Sequence, residues 1–284
     1  MMKRTPASRI LFSIVLSSAI AVGAGAQTDA SMSRAPADSS AKPTPLFTTH
    51  DAILGAAFAG ATIVAFPLDK RIANGLENSA TRTNKFLDHA ATGFELIASP
   101  GAYVIGGSLY AIGRLGHFER AADLGLHGTE AVLAADAVTG VLKVLLGRSR
   151  PYVTQDSNPH DFKFGGGLSS DDRTSFPSGH TTSAFAAAAA VTAETSRWWP
   201  GSTWIVGPAM YGGATMVGLS RMYHNKHWAS DVALGAAIGT FSGQKLVQYV
   251  HAHPHNVVDR VLLHTALMPD GRGGATVSWS AMTR

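Results

Sequence analysis

The chain lacks cysteine and carries little charge, and each shortage excludes a class of protein. Without cysteine, its 284 residues hold no disulfide framework, no thiolate metal site and no cysteine nucleophile. Charged residues make up 15% of the chain, against about 25% in soluble domains, whereas apolar residues make up 45%. This composition excludes disorder along the whole chain, and the length suits one domain with flanking segments. The sequence also lacks a Walker loop, a Rossmann fingerprint and a zinc-ligand motif.

The first 26 residues have the pattern of a secretory signal peptide. Three bases precede an apolar run at residues 10–22, which is followed by the small residues Ala24, Gly25 and Ala26. The run is shorter than the about 20 residues that a membrane anchor needs, so an anchor is the weaker alternative. We expect cleavage after Ala26 and an exported, periplasmic protein. An integral inner-membrane protein with its site facing the periplasm is the alternative.

Cleavage at that point changes what the charge implies. The whole chain has a formal net charge of +4, but residues 27–284 hold 20 bases and 19 acids. A nucleic-acid-binding surface needs a marked excess of bases. We therefore predict no nucleic-acid partner.

The remaining sequence divides into three parts. Residues 27–47 are rich in Ser, Ala, Thr and Pro, which is typical of a flexible linker. Residues 48–255 show helical apolar patterns without βαβ alternation and predict an all-α domain. In the tail, residues 256–284, the alternation at 276–280 favours a short β-hairpin. The polar stretch at 151–177 is typical of a lid or binding loop.

The expected helices are runs of apolar residues between helix-breaking positions. They span residues 51–68, with Asp51 as a cap and Pro67 near the end, then 74–98, 103–115, 120–146, 181–195, 205–219 and 228–250. Their uncharged windows contain proline, glycine and hydroxyl residues rather than a run of Leu, Ile and Phe. Small residues pack helices in soluble bundles and in membranes alike. A soluble or peripherally attached bundle is favoured, and membrane insertion stays open.

The first polar motif lies at the end of a predicted helix, where Lys143 precedes Arg150 and Pro151. A spacing of seven places Lys143 and Arg150 on one helical face, and Pro151 is expected to end the helix. Two aligned cations suit a dianionic phosphate, and a guanidinium can bind two of its oxygens. A solvated basic helix end is the alternative, and we assign Arg148 to that class.

The second motif, Pro177-Ser178-Gly179-His180, opens an alanine-rich helix. Backbone N–H groups at a helix start bind anions, and Gly179 lets an anion approach the main chain. His180 can hold a proton near neutral pH and donate it. An ordinary serine N-cap beside a partly exposed histidine is the alternative.

The third motif runs from Ser220 and Arg221 to His227 and Asp231. His227 and Asp231 are four residues apart, which places them on one face of a helix. A carboxylate on one imidazole nitrogen fixes the tautomer and leaves the other nitrogen nucleophilic. Arg221 adds a third cation. A histidine–aspartate pair on the surface is the alternative for this motif taken alone.

Together, the order and spacing of the three motifs resemble the signature of the type 2 phosphatidic acid phosphatase and vanadium haloperoxidase superfamily. The signature residues are all present, and the resemblance extends over residues 50–255. It implies a bundle of about six core helices. It also implies a metal-independent phosphatase without a cofactor. The substrate would be a lipid phosphate, an isoprenyl pyrophosphate or a small phosphomonoester.

The resemblance further implies a role for each site residue. His227 would attack phosphorus and form a phosphohistidine, and Asp231 would orient His227. His180 would protonate the leaving oxygen and then activate water. The phosphoryl oxygens would be held by Lys143, Arg150, Ser178, Gly179 and Arg221. Phosphoryl transfer depends mainly on positioning and charge stabilisation, which these groups supply without a metal.

Two other functions and one other site are weighed against this one. The same site could bind vanadate and oxidise halide with His227 as the ligand, although the compact chain disfavours this. A catalytically vestigial envelope interaction protein is the non-enzymatic alternative, and the complete motifs disfavour it. His251, His253 and His255 could bind a metal, but Pro254 interrupts them. We therefore interpret them as an exposed helix end and predict no metal site. The oligomeric state is left open.

Overall fold

Eight α-helices and one β-hairpin lie within the described part of the chain. The computed structural model describes residues 45–77, 83–155, 157–254, 256–263, 265–269 and 275–279, so the predicted signal peptide and most of the predicted linker lie outside it. The elements are α1 (Thr49–Leu76), α2 (Lys85–Ala98), α3 (Gly101–Leu115), α4 (Glu119–Leu146), α5 (Gly179–Trp198), α6 (Thr203–Tyr223), α7 (Ala229–Ala252), α8 (Val257–Leu262), β1 (Thr265–Pro269) and β2 (Ala275–Trp279). The strands pair antiparallel, with Thr265 opposite Trp279. The predicted all-α fold with a C-terminal hairpin is confirmed.

The first helix differs from its prediction at both ends. Its N-cap is Thr48, whose hydroxyl accepts a hydrogen bond from the Asp51 N–H, while the Asp51 carboxylate accepts one from the Thr48 N–H at 2.7 Å. Asp51 is therefore the second half of a capping box rather than the cap itself. The helix continues past Pro67 to Leu76. The predicted helix over 74–98 is wrong at its start, because α2 begins only after Asn84, whose side chain accepts two N–H bonds of the first turn.

Small residues let the central helices pack closely. On α7, Gly235, Gly239 and Gly243 recur every four residues and face α5. A Cβ atom at Gly239 would lie 2.3 Å from the Thr182 carbonyl oxygen, so a larger residue would force the two helices apart. The core between α4 and α5 also contains small side chains such as Ala186. This packing brings the end of α4 and the starts of α5 and α7 to one end of the bundle.

Several helices expose large apolar side chains. α1 is long and apolar enough to cross a membrane, with a mean hydropathy of 1.7 over its most apolar window. α2 and α3 would form a second such segment if one span includes the 49° bend between them. Ile63 on α1, Val104 on α3 and Trp204 on α6 are all exposed. Large exposed apolar surfaces mark sites that contact lipid or another protein.

Candidate active site

The first motif leaves α4 differently from its prediction. The helix ends at Leu146, and Gly147 follows in the left-handed conformation with a φ of 57°. A side chain at Gly147 would clash with the Lys163 carbonyl oxygen, so glycine is required at this turn. Arg150 is extended. The prediction that Lys143 and Arg150 share a helical face is therefore wrong, because the chain leaves the helix between them.

Lys143 lies in the last turn of α4 and reaches the start of α5. Its Cε atom is 3.5 Å from the position that a Cβ atom would take at Gly179. Its ammonium group donates a hydrogen bond to the Thr174 carbonyl oxygen. Burial, together with the positive charge of Arg150, lowers the pKa of Lys143 to about 8. The charge of this lysine is therefore lost at moderately alkaline pH.

The second motif forms the start of α5, with Ser178 as the N-cap. By helix geometry, the first N–H groups of α5 have no acceptor within the helix, so they are available to an anion. The buried Ser178 hydroxyl accepts a hydrogen bond from the Thr181 hydroxyl at 2.9 Å. A cavity of about 180 Å³ opens at this point. Its lining residues are Ser99, Asp136, Thr139, Gly140, Lys143, Gly179, His180 and Ser183.

His227 is buried just before α7 begins, and one hydrogen bond defines its tautomer. Its Nδ1 atom lies 2.7 Å from the Ser175 carbonyl oxygen. Because a carbonyl oxygen only accepts, Nδ1 carries the proton and Nε2 keeps its lone pair. Burial lowers the pKa of His227 to about 3, outweighing the opposite effect of the Asp231 carboxylate. At neutral pH the imidazole is therefore neutral and retains a nucleophilic nitrogen.

Asp231 lies in the first turn of α7, and donors surround its carboxylate. It accepts hydrogen bonds from the Trp228 N–H at 2.8 Å, the Ser175 hydroxyl at 2.5 Å and the Arg148 guanidinium at 2.5 Å. Burial raises the pKa of this carboxyl group, but the charge of Arg148 and these donors outweigh it and the pKa is lowered. Its Oδ2 atom lies 3.5 Å from His227 Nδ1. The pair is within ion-pair distance, but the shorter contact of His227 is to Ser175. The prediction that both residues lie on one face of a helix is wrong, because His227 precedes α7.

Arg148 is fully buried, so its interpretation as a solvated helix end is wrong. Its guanidinium donates to the carboxylates of Asp69 and Asp231 and to the Pro159 carbonyl oxygen. Four aromatic rings lie 4.9–5.5 Å from it, namely those of Phe66, Phe162, Phe176 and Trp228. The two carboxylates compensate a charge that would otherwise be too costly to bury. No local pattern could reveal this, since Asp69 lies 79 positions from Arg148.

Two acidic residues that the sequence reasoning missed pair with the other cations. Arg150 donates to the Asp171 carboxylate at 3.1 Å, and Arg221 forms an ion pair with Glu95. Glu95 also lies 4.0 Å from His180 Nε2. Asp171 belongs to the polar stretch at 151–177, and the prediction of that stretch as a binding loop is the one sequence feature that points to this residue. Glu95 lies on α2 with no motif around it, so it could not be found without the structure.

The predicted cations converge on the predicted histidines. Burial and the charge of Arg221 lower the pKa of His180 to about 4, and Lys143 and Arg150 act in the same direction. Lys143 and Arg150 also act on His227. The structure thus brings the histidines and cations of all three motifs into one site. Such a site can hold an anion beside a free imidazole nitrogen.

Comparison with known proteins relates these motifs to a family. Residues 126–254 match the family model described as the PAP2 superfamily. Over 73 residues the chain is 44% identical to the lipid A 1-phosphatase of Porphyromonas gingivalis. That segment covers 25% of this chain and 15% of the relative, so the chain spans only a small part of the relative's length.

Two crystal structures resemble the described helices. Aquifex aeolicus LpxE superposes with a TM-score of 0.43 and 22% sequence identity, covering 64% of this chain and 96% of that one. The second is a transmembrane PAP2-type phosphatidylglycerolphosphate phosphatase from Bacillus subtilis. It has a TM-score of 0.37 and 19% identity, covering 68% of this chain and 97% of that one.

Proposed function

We propose that this chain is a phosphatase of the PAP2 superfamily that hydrolyses a lipid phosphate, because residues 126–254 match the model of that family. One observation carries the proposal. The hydrogen bond from His227 Nδ1 to the Ser175 carbonyl oxygen leaves Nε2 unprotonated, and the charges of Lys143 and Arg150 act on the same imidazole. A neutral imidazole held in this way is a nucleophile toward phosphorus.

The reaction proceeds in two displacements. His227 Nε2 attacks phosphorus, and a P–N bond forms as the P–O bond to the leaving group breaks. His180 gives its proton to the leaving oxygen, and the negative charge of a bound phosphate favours the protonated form of His180. Water then attacks the phosphorus of the phosphohistidine while His180 takes a proton from the water. The P–N bond breaks, phosphate leaves, and His227 is neutral again.

The surrounding charges stabilise both displacements. Lys143, Arg150 and Arg221 hold the phosphoryl oxygens. The Ser178 hydroxyl and the Gly179 N–H donate to the same oxygens from the start of α5. Asp231 balances the positive charge that His227 gains on attack, from a distance of 3.5 Å. Positioning and charge stabilisation of this kind supply most of the catalysis of phosphoryl transfer.

An apolar cavity beside the site supports a lipid as the substrate. It has a volume of about 300 Å³ and is bounded by α2 to α6. Residues one helical turn from the site contribute to its lining, namely Ala98, Ala184 and Val217. Burial of an acyl or isoprenyl chain there makes the free energy of binding more favourable by about 25 cal/mol per Å² of apolar surface removed from water. A small polar phosphomonoester gains nothing from such a cavity, so the lipid is the favoured substrate.

The exposed apolar side chains of α1, α3 and α6 support a membrane location for the protein. Ile53 and Ile63 on α1, Ile112 on α3 and Ile205 on α6 are each at least 59% exposed. Lipid contact would remove this surface from water. We expect the protein to stay in the membrane fraction after a carbonate wash. Recovery in the soluble fraction would contradict a membrane location without affecting the phosphatase proposal.

Phosphate release by the purified full chain tests the proposed activity. With EDTA present, we expect release from a long-chain lipid phosphate. His227→Ala should lower kcat by about 10³-fold or more, since it removes the nucleophile, and His180→Ala by about 10²–10⁴-fold. With substrate labelled on phosphorus, rapid acid-free quenching should trap a labelled protein in the wild type and none in His227→Ala.

A matched control separates these effects from a general loss of folding. His253→Ala removes an exposed histidine near the end of the bundle remote from the site and should keep wild-type activity. Two results would contradict the proposed phosphatase activity. One is no phosphate release from either lipid or water-soluble phosphates, and the other is full activity in His227→Ala.

A further inference from the structure

A second cluster of titratable side chains lies at the end of the bundle remote from the candidate active site. Its members come from four helices and are His127, Glu130, Glu194, His251 and Asp259. Glu194 follows His180 by 14 residues along α5. Because a helix rises about 1.5 Å per residue, about 20 Å separate the cluster from the site. The cluster therefore takes no part in the phosphoryl chemistry and needs its own explanation.

His127 is 2% exposed and lies between two carboxylates. Its Nδ1 atom is 2.5 Å from Oε1 of Glu194. Because a carboxylate only accepts, Nδ1 donates the hydrogen, and in the neutral imidazole Nε2 keeps its lone pair. Oδ1 of Asp259 faces that nitrogen at 3.4 Å. In the neutral form of His127, an electron pair of Nε2 and one of the Asp259 carboxylate therefore face each other in a buried position, and a bound cation would separate them.

Glu130 adds a third electron pair to the same point. His127 Nε2, Glu130 Oε2 and Asp259 Oδ1 are buried and have no hydrogen-bond partner. Ligand atoms of these three side chains lie within 4.8 Å of one another. Buried acceptors without a donor are costly. A cation placed among them would satisfy all three at once.

We propose that His127, Glu130 and Asp259 bind a divalent cation, for which Zn²⁺ is the best match. Ligand atoms at about 2.0–2.1 Å from a tetrahedral zinc ion are about 3.3 Å apart, and 3.4 Å separates His127 Nε2 from Asp259 Oδ1. A metal-binding histidine usually donates its other N–H to a carboxylate. Glu194 accepts that hydrogen here, so it is the positioning residue of the site.

His251 supports the cluster from the other side of Glu194. Its Nε2 atom lies 2.9 Å from Glu194 Oε1, and its side chain is 24% exposed. The interpretation of this region as an exposed helix end is therefore wrong for His251, although it describes His253, while His255 lies outside the described residues. Because Asp259 belongs to α8, a metal at this site would tie the C-terminal helix to α4.

Zinc binding by the full chain tests the site, after metal removal with EDTA and dialysis. Titration calorimetry with Zn²⁺ should show one ion bound per chain, and Zn²⁺ should raise the melting temperature. Glu130→Gln and Asp259→Asn preserve size but weaken a ligand, so each should lower zinc affinity by more than about tenfold. Glu194→Gln should lower it by about 10–100-fold through loss of the tautomer.

Three controls locate the effect. Glu119→Gln removes an exposed carboxylate from the same helix, and His253→Gln removes an exposed histidine near the cluster; both should bind zinc as the wild type does. His227→Ala should also bind zinc, which separates this site from the phosphatase site. Circular dichroism shows whether each variant is folded. The proposal is overturned if the wild type binds no zinc, or if Glu130→Gln and Asp259→Asn bind it unchanged.

Discussion

Burial gives Lys143 a charge that depends on pH in the range where phosphatases are assayed. Its burial and the neighbouring Arg150 lower its pKa to about 8. A lysine with a lowered pKa is fully charged well below that value and loses its charge as the pH rises through it. The proposed site relies on this charge to hold phosphoryl oxygens. Phosphate binding should therefore weaken in alkaline solution.

We expect the inhibition constant of inorganic phosphate to rise by up to about tenfold between about pH 7.5 and about pH 9.5. Phosphate itself is mainly a dianion over this range, so the change reports the protein. Competitive inhibition assays measure it. In Lys143→Arg the guanidinium stays charged, and the pH dependence should disappear. An inhibition constant that is flat with pH in the wild type would contradict the role given to Lys143.

Between helices, Arg148 connects α1, the loop after α4 and the start of α7 next to the candidate site. It donates to Asp69 on α1, to Pro159 in the loop after α4, and to Ser230 and Asp231 on α7. Through Arg148, the loop and α1 are linked to the carboxylate nearest His227. Loss of this guanidinium would leave two buried carboxylates without their cation.

Arg148→Met should lower the free energy of unfolding by about 3–5 kcal/mol, because it leaves the buried carboxyl groups of Asp69 and Asp231 without their cation. Arg173 provides the matched control. Its ion pair with Asp161 at 3.1 Å is partly exposed, so Arg173→Met should cost less than about 1 kcal/mol. Urea unfolding of both variants measures the difference. Equal stabilities for the two variants would show that Arg148 is not the joining residue.

Across several helices, the apolar cavity beside the site is where the proposed lipid substrate would place its chain. Gly212 and Gly213 are neighbours on α6, and neither would place a Cβ atom within 4 Å of another residue. Gly213 lines the cavity, whereas Gly212 is exposed and does not. The pair therefore allows the cavity to be filled in one variant and left unchanged in the other.

Gly213→Leu should raise KM for a long-chain lipid phosphate by about tenfold, the equivalent of about two methylene groups excluded from the cavity. Its KM for a short, water-soluble phosphomonoester should stay at the wild-type value. Gly212→Leu should change neither. Steady-state kinetics on the two substrates decide the matter. An equal rise for both substrates would argue that the cavity does not hold the lipid chain.

Much of the architecture follows from local patterns, and the errors have local causes. The helices and the hairpin follow from apolar periodicity and alternation, which depend on neighbouring residues. The prediction that Lys143 and Arg150 share a helical face is wrong because Gly147 adopts the left-handed conformation and ends the helix. A spacing of seven residues aligns two side chains only inside a helix. The predicted start of α2 is wrong because Asn84 caps the helix, which begins at Lys85. Boundaries depend on single capping residues, which periodicity does not weigh.

Local sequence motifs are enough to identify the chemical groups of the candidate site. Three motifs supply two histidines, three cations and an anion-binding helix start, and their order and spacing indicate phosphoryl transfer. How these groups are held depends on contacts between distant segments, which the motifs do not reveal. Ser175 selects the tautomer of His227, Arg148 neutralises Asp231, and Glu95 engages Arg221. These pairs lie 52, 83 and 126 positions apart, and only the packing of helices brings such distant residues within hydrogen-bond reach.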